Sequence, residues 1–231
     1  MIFDVRHLGT AARWPLGAIA TGWDYMWRTT PMHRRQLDGH WPQDGPPEAP
    51  ERLMEGAQRP EDGVGPLLRR RYRGRIKDTG MSAGELMARL QADPDRVAPG
   101  GLARFHKESG DEGAMRAGDE FLVRMPGPWN GPVRVVEVTP TSFRFATLQD
   151  HLEAGQIEWR ARDEDGRLAF EIESWARAGD RLSAFLHDGV PMAKEVQLHM
   201  WTSVVENVVA LAGGRLDGGI DIETRRAELR R

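Results

Sequence analysis

Between positions 120 and 174, apolar and polar residues alternate every second position in run after run, and this pattern constrains the fold more than any other feature. Phe121, Val123 and Met125 alternate with Glu120 and Arg124, and Phe143, Phe145 and Thr147 with Arg144. Further on, Ile157, Trp159 and Ala161 alternate with Glu158, Arg160 and Arg162, and Leu168, Phe170, Ile172 and Ser174 with Glu171 and Glu173. A period of two places all the apolar members of a run on one face of a sheet and leaves the other face polar. The stretch 133–138 is apolar enough for a central strand, and 67–78 and 102–107 read as two more. Short turns at Pro140-Thr141 and Glu164-Asp165-Gly166 make neighbouring strands pair antiparallel.

After the last of these runs the period changes. From Pro191 to Ala212, Val196, Met200, Val204, Val208 and Leu211 form one helical stripe, widened by Trp201, Val205 and Val209. Pro191 suits a first turn, and Gly213-Gly214 stops the helix. A stripe that wide needs a concave surface to cover it, which a curved sheet provides. A shorter helix opens at Ser82 with Glu85 three positions later, a capping-box pattern, and buries Leu86, Met87 and Leu90. The predicted class is α+β: a curved antiparallel sheet of about seven strands wrapped around a long C-terminal helix.

The chain divides into three parts. Residues 1–66 form an N-terminal extension, helical over 14–30 with Leu16, Ile19, Trp23, Met26 and Trp27 at helical spacing. A surface linker rich in Pro, Gly and Glu follows over 36–66. Residues 67–215 form the main domain, and 216–231 a charged tail.

Composition excludes several classes of function. Without cysteine there is no disulfide framework, thiolate metal site or Cys nucleophile. No two of the seven histidines fall at helical ligand spacing, so no metal or cofactor is expected. Basic and acidic residues number 32 and 35, a net charge of −3, which disfavours nucleic acid as a partner. The start carries no signal-peptide pattern and no run is long enough to span a membrane, so a cytoplasmic protein is expected. Phosphate loops, dinucleotide fingerprints and the Gly-x-Ser-x-Gly elbow are absent.

The segments Gly131-Pro132-Val133-Arg134-Val135-Val136-Glu137-Val138 and Phe143-Arg144-Phe145-Ala146-Thr147-Leu148-Gln149-Asp150-His151-Leu152-Glu153-Ala154-Gly155 carry a resemblance. With the element order, they resemble an uncharacterised branch of the START-like or SRPBCC superfamily, a domain-of-unknown-function family with a Thr-Leu-x-x-His-x-Glu-x-Gly pattern between two central strands. The resemblance covers about 67–215. It implies the helix-grip fold, whose interior often forms an apolar cavity between sheet and C-terminal helix. It supplies no catalytic residue.

Individual residues admit two readings each. His151 and Glu153 are either a polar pair at a cavity mouth or a turn held by its own backbone, with Gly155 in a conformation closed to other residues. His199 is either a hydrogen-bonded core histidine or a ligand contact. Arg69, Arg71, Arg73 and Arg75 share one strand face, as an anion row or as a solvated face paired with carboxylates such as Glu171 and Glu173. The Trp-containing segment 14–27 either rests on a membrane surface or docks on the domain, where Trp175, on the outer face, needs cover.

Three functions compete. The first is a carrier for an apolar small molecule such as a lipid or aromatic metabolite. Phe143, Phe145, Trp159 and Phe170 form its walls, and Thr147, His151, Ser174 and His199 are its polar contacts. The second is a cyclase or dehydratase using the same cavity, with His151 or His199 as the titrating group. The third is a solid-core interaction domain acting through the N-terminal extension and the basic strand.

Overall fold

A computed structural model describes residues 30–100, 103–124, 130–179 and 191–229. The expected helix at 14–30 falls almost wholly outside the described residues.

Among the described residues the structure is α+β, a curved sheet of nine strands with two α-helices. The strands are β1 (Met32–Asp38), β2 (Val64–Lys77), β3 (Arg104–Ser109), β4 (Glu120–Arg124), β5 (Asn130–Thr139), β6 (Ser142–Thr147), β7 (Glu153–Glu164), β8 (Arg167–Ala178) and β9 (Arg215–Ala227). The helices are α1 (Ala83–Ala92) and α2 (Pro191–Ala212). Spatial order is β1-β9-β2-β8-β7-β6-β5-β4-β3, antiparallel throughout except that β1 runs parallel to β9.

Both helices form where the sequence places them. Ser82 Oγ accepts from the Glu85 N–H, and Glu85 returns the bond to the Ser82 N–H, so the capping box is complete. At its far end α2 gives way to Gly213 at φ 69°, the left-handed residue of a helix stop. The two helices share only β8: α1 packs against β7 and β8, and α2 against β2, β9 and β8. Gly74 of β2 brings α2 close, because a Cβ there would stand 2.7 Å from Val205 Cγ1.

Two expectations are corrected. The segment expected as a charged tail supplies β9, which inserts between β1 and β2. Ile220 and Ile222 face the core while Asp221, Glu223 and Arg225 face outward, so its charges are one half of an alternating strand. The sheet therefore holds nine strands where about seven were expected, and β1 is the ninth.

The Pro- and Glu-rich stretch is irregular as expected, yet it is a strap on the sheet's outer face. Leu53 and Met54 bury against Val136 and Ala146. Gln58 Nε2 donates to the carbonyls of Leu148 and His151 at 2.7 and 2.9 Å, and the Glu48 carbonyl accepts from Arg144. Every residue of β6 is consequently buried. Trp175 on the same outer face packs with Leu67 and Ala227 under Trp41 and Leu229, so its cover among the described residues comes from Trp41.

Candidate functional site

The strand registers resolve the sheet's inner face into rows. One row runs Ile222, Tyr72, Ile172, Trp159, Phe143 and Val138. The next, two residues along each of the central strands, runs Gln36, Thr224, Arg70, Ser174, Ile157, Phe145 and Val135. The first is apolar apart from the Tyr72 hydroxyl. The second is polar over β1, β9, β2 and β8 and apolar over β7, β6 and β5. The face beneath α2 therefore grades from hydrocarbon to hydrogen-bonding groups.

Aromatic rings fill the apolar part. Phe143 lies 5.3 Å from both Phe145 and Trp159, and Phe105, Phe121 and Phe170 extend the cluster. Trp201 of α2 stands edge-on to Trp159 at 6.2 Å. Trp159 is 1% exposed. The four expected walls, Phe143, Phe145, Trp159 and Phe170, are thus brought together in one continuous cluster. The Trp201 indole N–H is buried in this apolar setting and has no hydrogen-bond partner among the described residues.

The expected polar contacts separate. Ser174 is 6% exposed and its hydroxyl makes no hydrogen bond among the described residues. His199 is buried on α2. The Thr147 hydroxyl is taken up by the β7 backbone, accepting from the Gly155 N–H at 3.0 Å and lying 3.2 Å from the Gly155 carbonyl. His151 holds a turn: its Nδ1 lies 2.9 Å from the Glu153 N–H, from which it accepts in one tautomer, and 3.0 Å from the Glu153 carbonyl, to which it donates in the other. Burial pushes the His151 pKa down, against the upward pull of the Glu153 carboxylate. Gly155 is required by close approach, since a Cβ there would fall 1.9 Å from the Trp175 carbonyl oxygen.

Two residues of the polar row's surroundings escaped sequence reasoning. Arg70 donates from Nη1 to Gln197 Oε1 on α2, and Gln197 Nε2 donates to Glu153 Oε1 at 3.0 Å. Parity was the available signal. Arg69, Arg71 and Arg73 share one strand face, so Arg70 belongs to the other.

The outer face is a network of ion pairs. Arg69 bridges Glu173 and Asp44 at 2.6 and 2.8 Å, Arg71 meets Glu223, and Arg73 meets Glu164. Arg160 binds Glu158, Glu171 and Glu173 together. The pairing with carboxylates matches one sequence reading, but the face is not freely solvated, because Glu173 is 2% exposed. Burial raises the Glu158 pKa despite Arg160 and Arg144. Among the described residues, no three His, Asp or Glu side chains cluster as a metal site would require. A separate open groove of about 550 Å³ lies at the β1–β9 edge, lined by Asp38, Gly39, His40, Trp41, Arg226 and Glu228.

Comparison with known proteins yields similarity without a function. No curated protein matches the chain. Among solved structures, a hypothetical protein from Helicobacter pylori matches at TM-score 0.43 and 12% identity, over 61% of this chain and 87% of that one. The major latex-like protein 151 from Panax ginseng matches at TM-score 0.43 and 14% identity, over 64% and 99%. The di-domain aromatase/cyclase StfQ of the steffimycin biosynthetic pathway matches at TM-score 0.47 and 12% identity, over 67% of this chain and 52% of that one. Matches at these scores carry no argument about ligand or activity. A family model matches residues 87–207, more than half of the 231, and the chain belongs to that family, described as a domain of unknown function (DUF1990).

Proposed function

We propose that the chain is a binding module for an apolar small molecule held between the sheet's inner face and α2. The observation that carries this reading is the Trp201 indole N–H, buried against the aromatic wall with no acceptor. Buried donors in native proteins nearly always have partners, and an acceptor on a ligand supplies this one. Phe143, Phe145, Trp159 and Phe170 are the apolar lining, and Ser174 and His199 the polar contacts at its edge. Thr147 and His151 support the lining from behind, since both are engaged with the backbone of Glu153 and Gly155.

The same hydrogen bonds favour binding over acid–base chemistry. His151 Nδ1, which a catalytic reading would use, is engaged by the Glu153 main chain. Arg69, Arg71 and Arg73 of the outer face are engaged by carboxylates, which favours a small-molecule partner over nucleic acid.

Native and denaturing mass spectrometry of the purified chain tests this reading. A mass excess that disappears on denaturation, or stoichiometric uptake of added 1-decanol in the native spectrum, is the expected result. A bare native mass that stays bare with millimolar 1-decanol overturns it.

A further inference from the structure

Arg70 occupies a position unlike that of its neighbours on β2. Arg69, Arg71 and Arg73 point outward and each meets at least one carboxylate. Arg70 faces inward, half-buried, and meets the neutral amide of Gln197. Gln197 in turn is fixed by Glu153, so its oxygen is aimed at Arg70 and its nitrogen at the carboxylate. Arg70 is thereby positioned by an anion without being neutralised by direct contact. Among the described residues no carboxylate lies within ion-pair distance of it, and its Nε and Nη2 donors make no hydrogen bond.

Its neighbours in the row add hydroxyls in the same condition. Ser174, the Cα partner of Arg70 on β8, is more than nine-tenths buried with an unpartnered hydroxyl. Thr224, the partner on β9, makes no side-chain hydrogen bond among the described residues. Across the sheet the row continues as Ile157, Phe145 and Val135, and Trp201, whose indole N–H is unpaired among the described residues, meets Trp159 of the adjacent row. The Trp201 indole and the remaining Arg70 N–H groups can only donate, the Ser174 and Thr224 hydroxyls can donate as well as accept, and Arg70 carries a positive charge.

From this we infer that the ligand carries a carboxylate, held by the guanidinium fork of Arg70 with the Ser174 hydroxyl beside it, and an apolar body lying along the aromatic row. A planar fork of N–H donors matches a carboxylate in two parallel hydrogen bonds, which a lysine or a neutral amide cannot reproduce. Gln197 and Glu153 act as positioning residues. The inference rests on the interior binding reading and names the chemical class that the site selects.

Isothermal titration of the full chain with sodium decanoate and with 1-decanol tests it, because the two share a chain and differ in head group. The wild type is expected to bind decanoate at least about ten-fold more tightly, the scale of a hydrogen bond to a charged group. In Arg70→Gln that preference falls to within about two-fold. Equal affinities in the wild type, or a preference that survives Arg70→Gln, overturn the carboxylate assignment and leave the binding reading intact. Failure of both compounds to bind the wild type overturns both. Should Arg70→Gln not fold, Ser174→Ala carries the test: the ratio of decanoate to decanol affinity falls several-fold, and an unaltered ratio refutes the assignment.

Discussion

Trp201 of α2 meets Trp159 of β7 edge to face, ring centroids 6.2 Å apart and planes at 88°, the contact that joins the C-terminal helix to the aromatic wall. Edge-on aromatic pairs add to the area they bury, so removing the more enclosed ring is costly. Trp159→Ala should lose about 3–5 kcal/mol in urea unfolding. Trp201→Phe keeps a ring and deletes a donor that has no partner, so its cost should stay within about 1 kcal/mol. A larger loss for Trp201→Phe would mean that the indole N–H is satisfied in the free protein.

Gly155 is the tightest point of the sheet. A methyl group there meets the Trp175 carbonyl oxygen at 1.9 Å and the Ala176 Cα at 2.9 Å, both backbone atoms. Gly155→Ala must separate β7 from β8, with a destabilisation of about 3 kcal/mol or more. Gly166→Ala, in the β7–β8 turn where a Cβ meets nothing within 4 Å, is the comparison. It carries only the cost of φ 73°, about 1–2 kcal/mol. Equal losses in the two would locate the strain in the dihedral angle rather than the contact.

Asp44 ties the strap to the sheet. Burial pushes its carboxyl upward, but the His40 N–H, Arg69 and Arg225 outweigh this and hold its pKa below the usual carboxylate value. The group is ionised in the folded chain at pH values where the unfolded chain already binds a proton. Its stabilising contribution is therefore complete above the unfolded pKa near 3.8 and is lost as pH falls through the folded value. Asp44→Asn should lower the midpoint of urea unfolding at pH 7 and make the curve of stability against pH flatter below 4. An unchanged slope would show that other carboxylates carry the acid transition.

His151 titrates in the opposite sense to a paired histidine. Its folded pKa lies below the unfolded one, so the turn it holds is fully stabilised above about 6.5 and weakens as pH falls through that value. Carbon-detected NMR of the ring should find it neutral at pH 7, with an apparent pKa below the ordinary histidine value. A value above it would contradict the turn assignment.

How far the sequence discloses this structure depends on where each residue's partners lie. The inner rows were legible because Phe143, Phe145, Trp159, Phe170 and Ile172 repeat at period two and are all buried on one face. The capping box at Ser82 and the stop at Gly213 were legible because their hydrogen bonds are local. Strand β1 was not, since Met32–Asp38 is almost wholly exposed and pairs in parallel with a strand nearly 190 residues away. Strand β9 did carry a signal in Ile220, Ile222 and Thr224, masked by the preceding Gly218-Gly219 and the intervening charges. Of the candidate site, the apolar wall followed from periodicity. The relay from Arg70 through Gln197 to Glu153 joins three distant segments, and no local spacing encodes it.

The central claim is that a ligand enters beneath α2 and meets the Trp201 indole N–H. Proton–nitrogen NMR of the indole groups, recorded while sodium decanoate is added to the full chain, tests it directly. The Trp201 N–H resonance is expected to move downfield as it gains an acceptor, while those of Trp41 and Trp175 on the outer face stay fixed. A Trp201 resonance that does not move while the ligand shifts Trp41 or Trp175 would place binding on the other side of the sheet and contradict it.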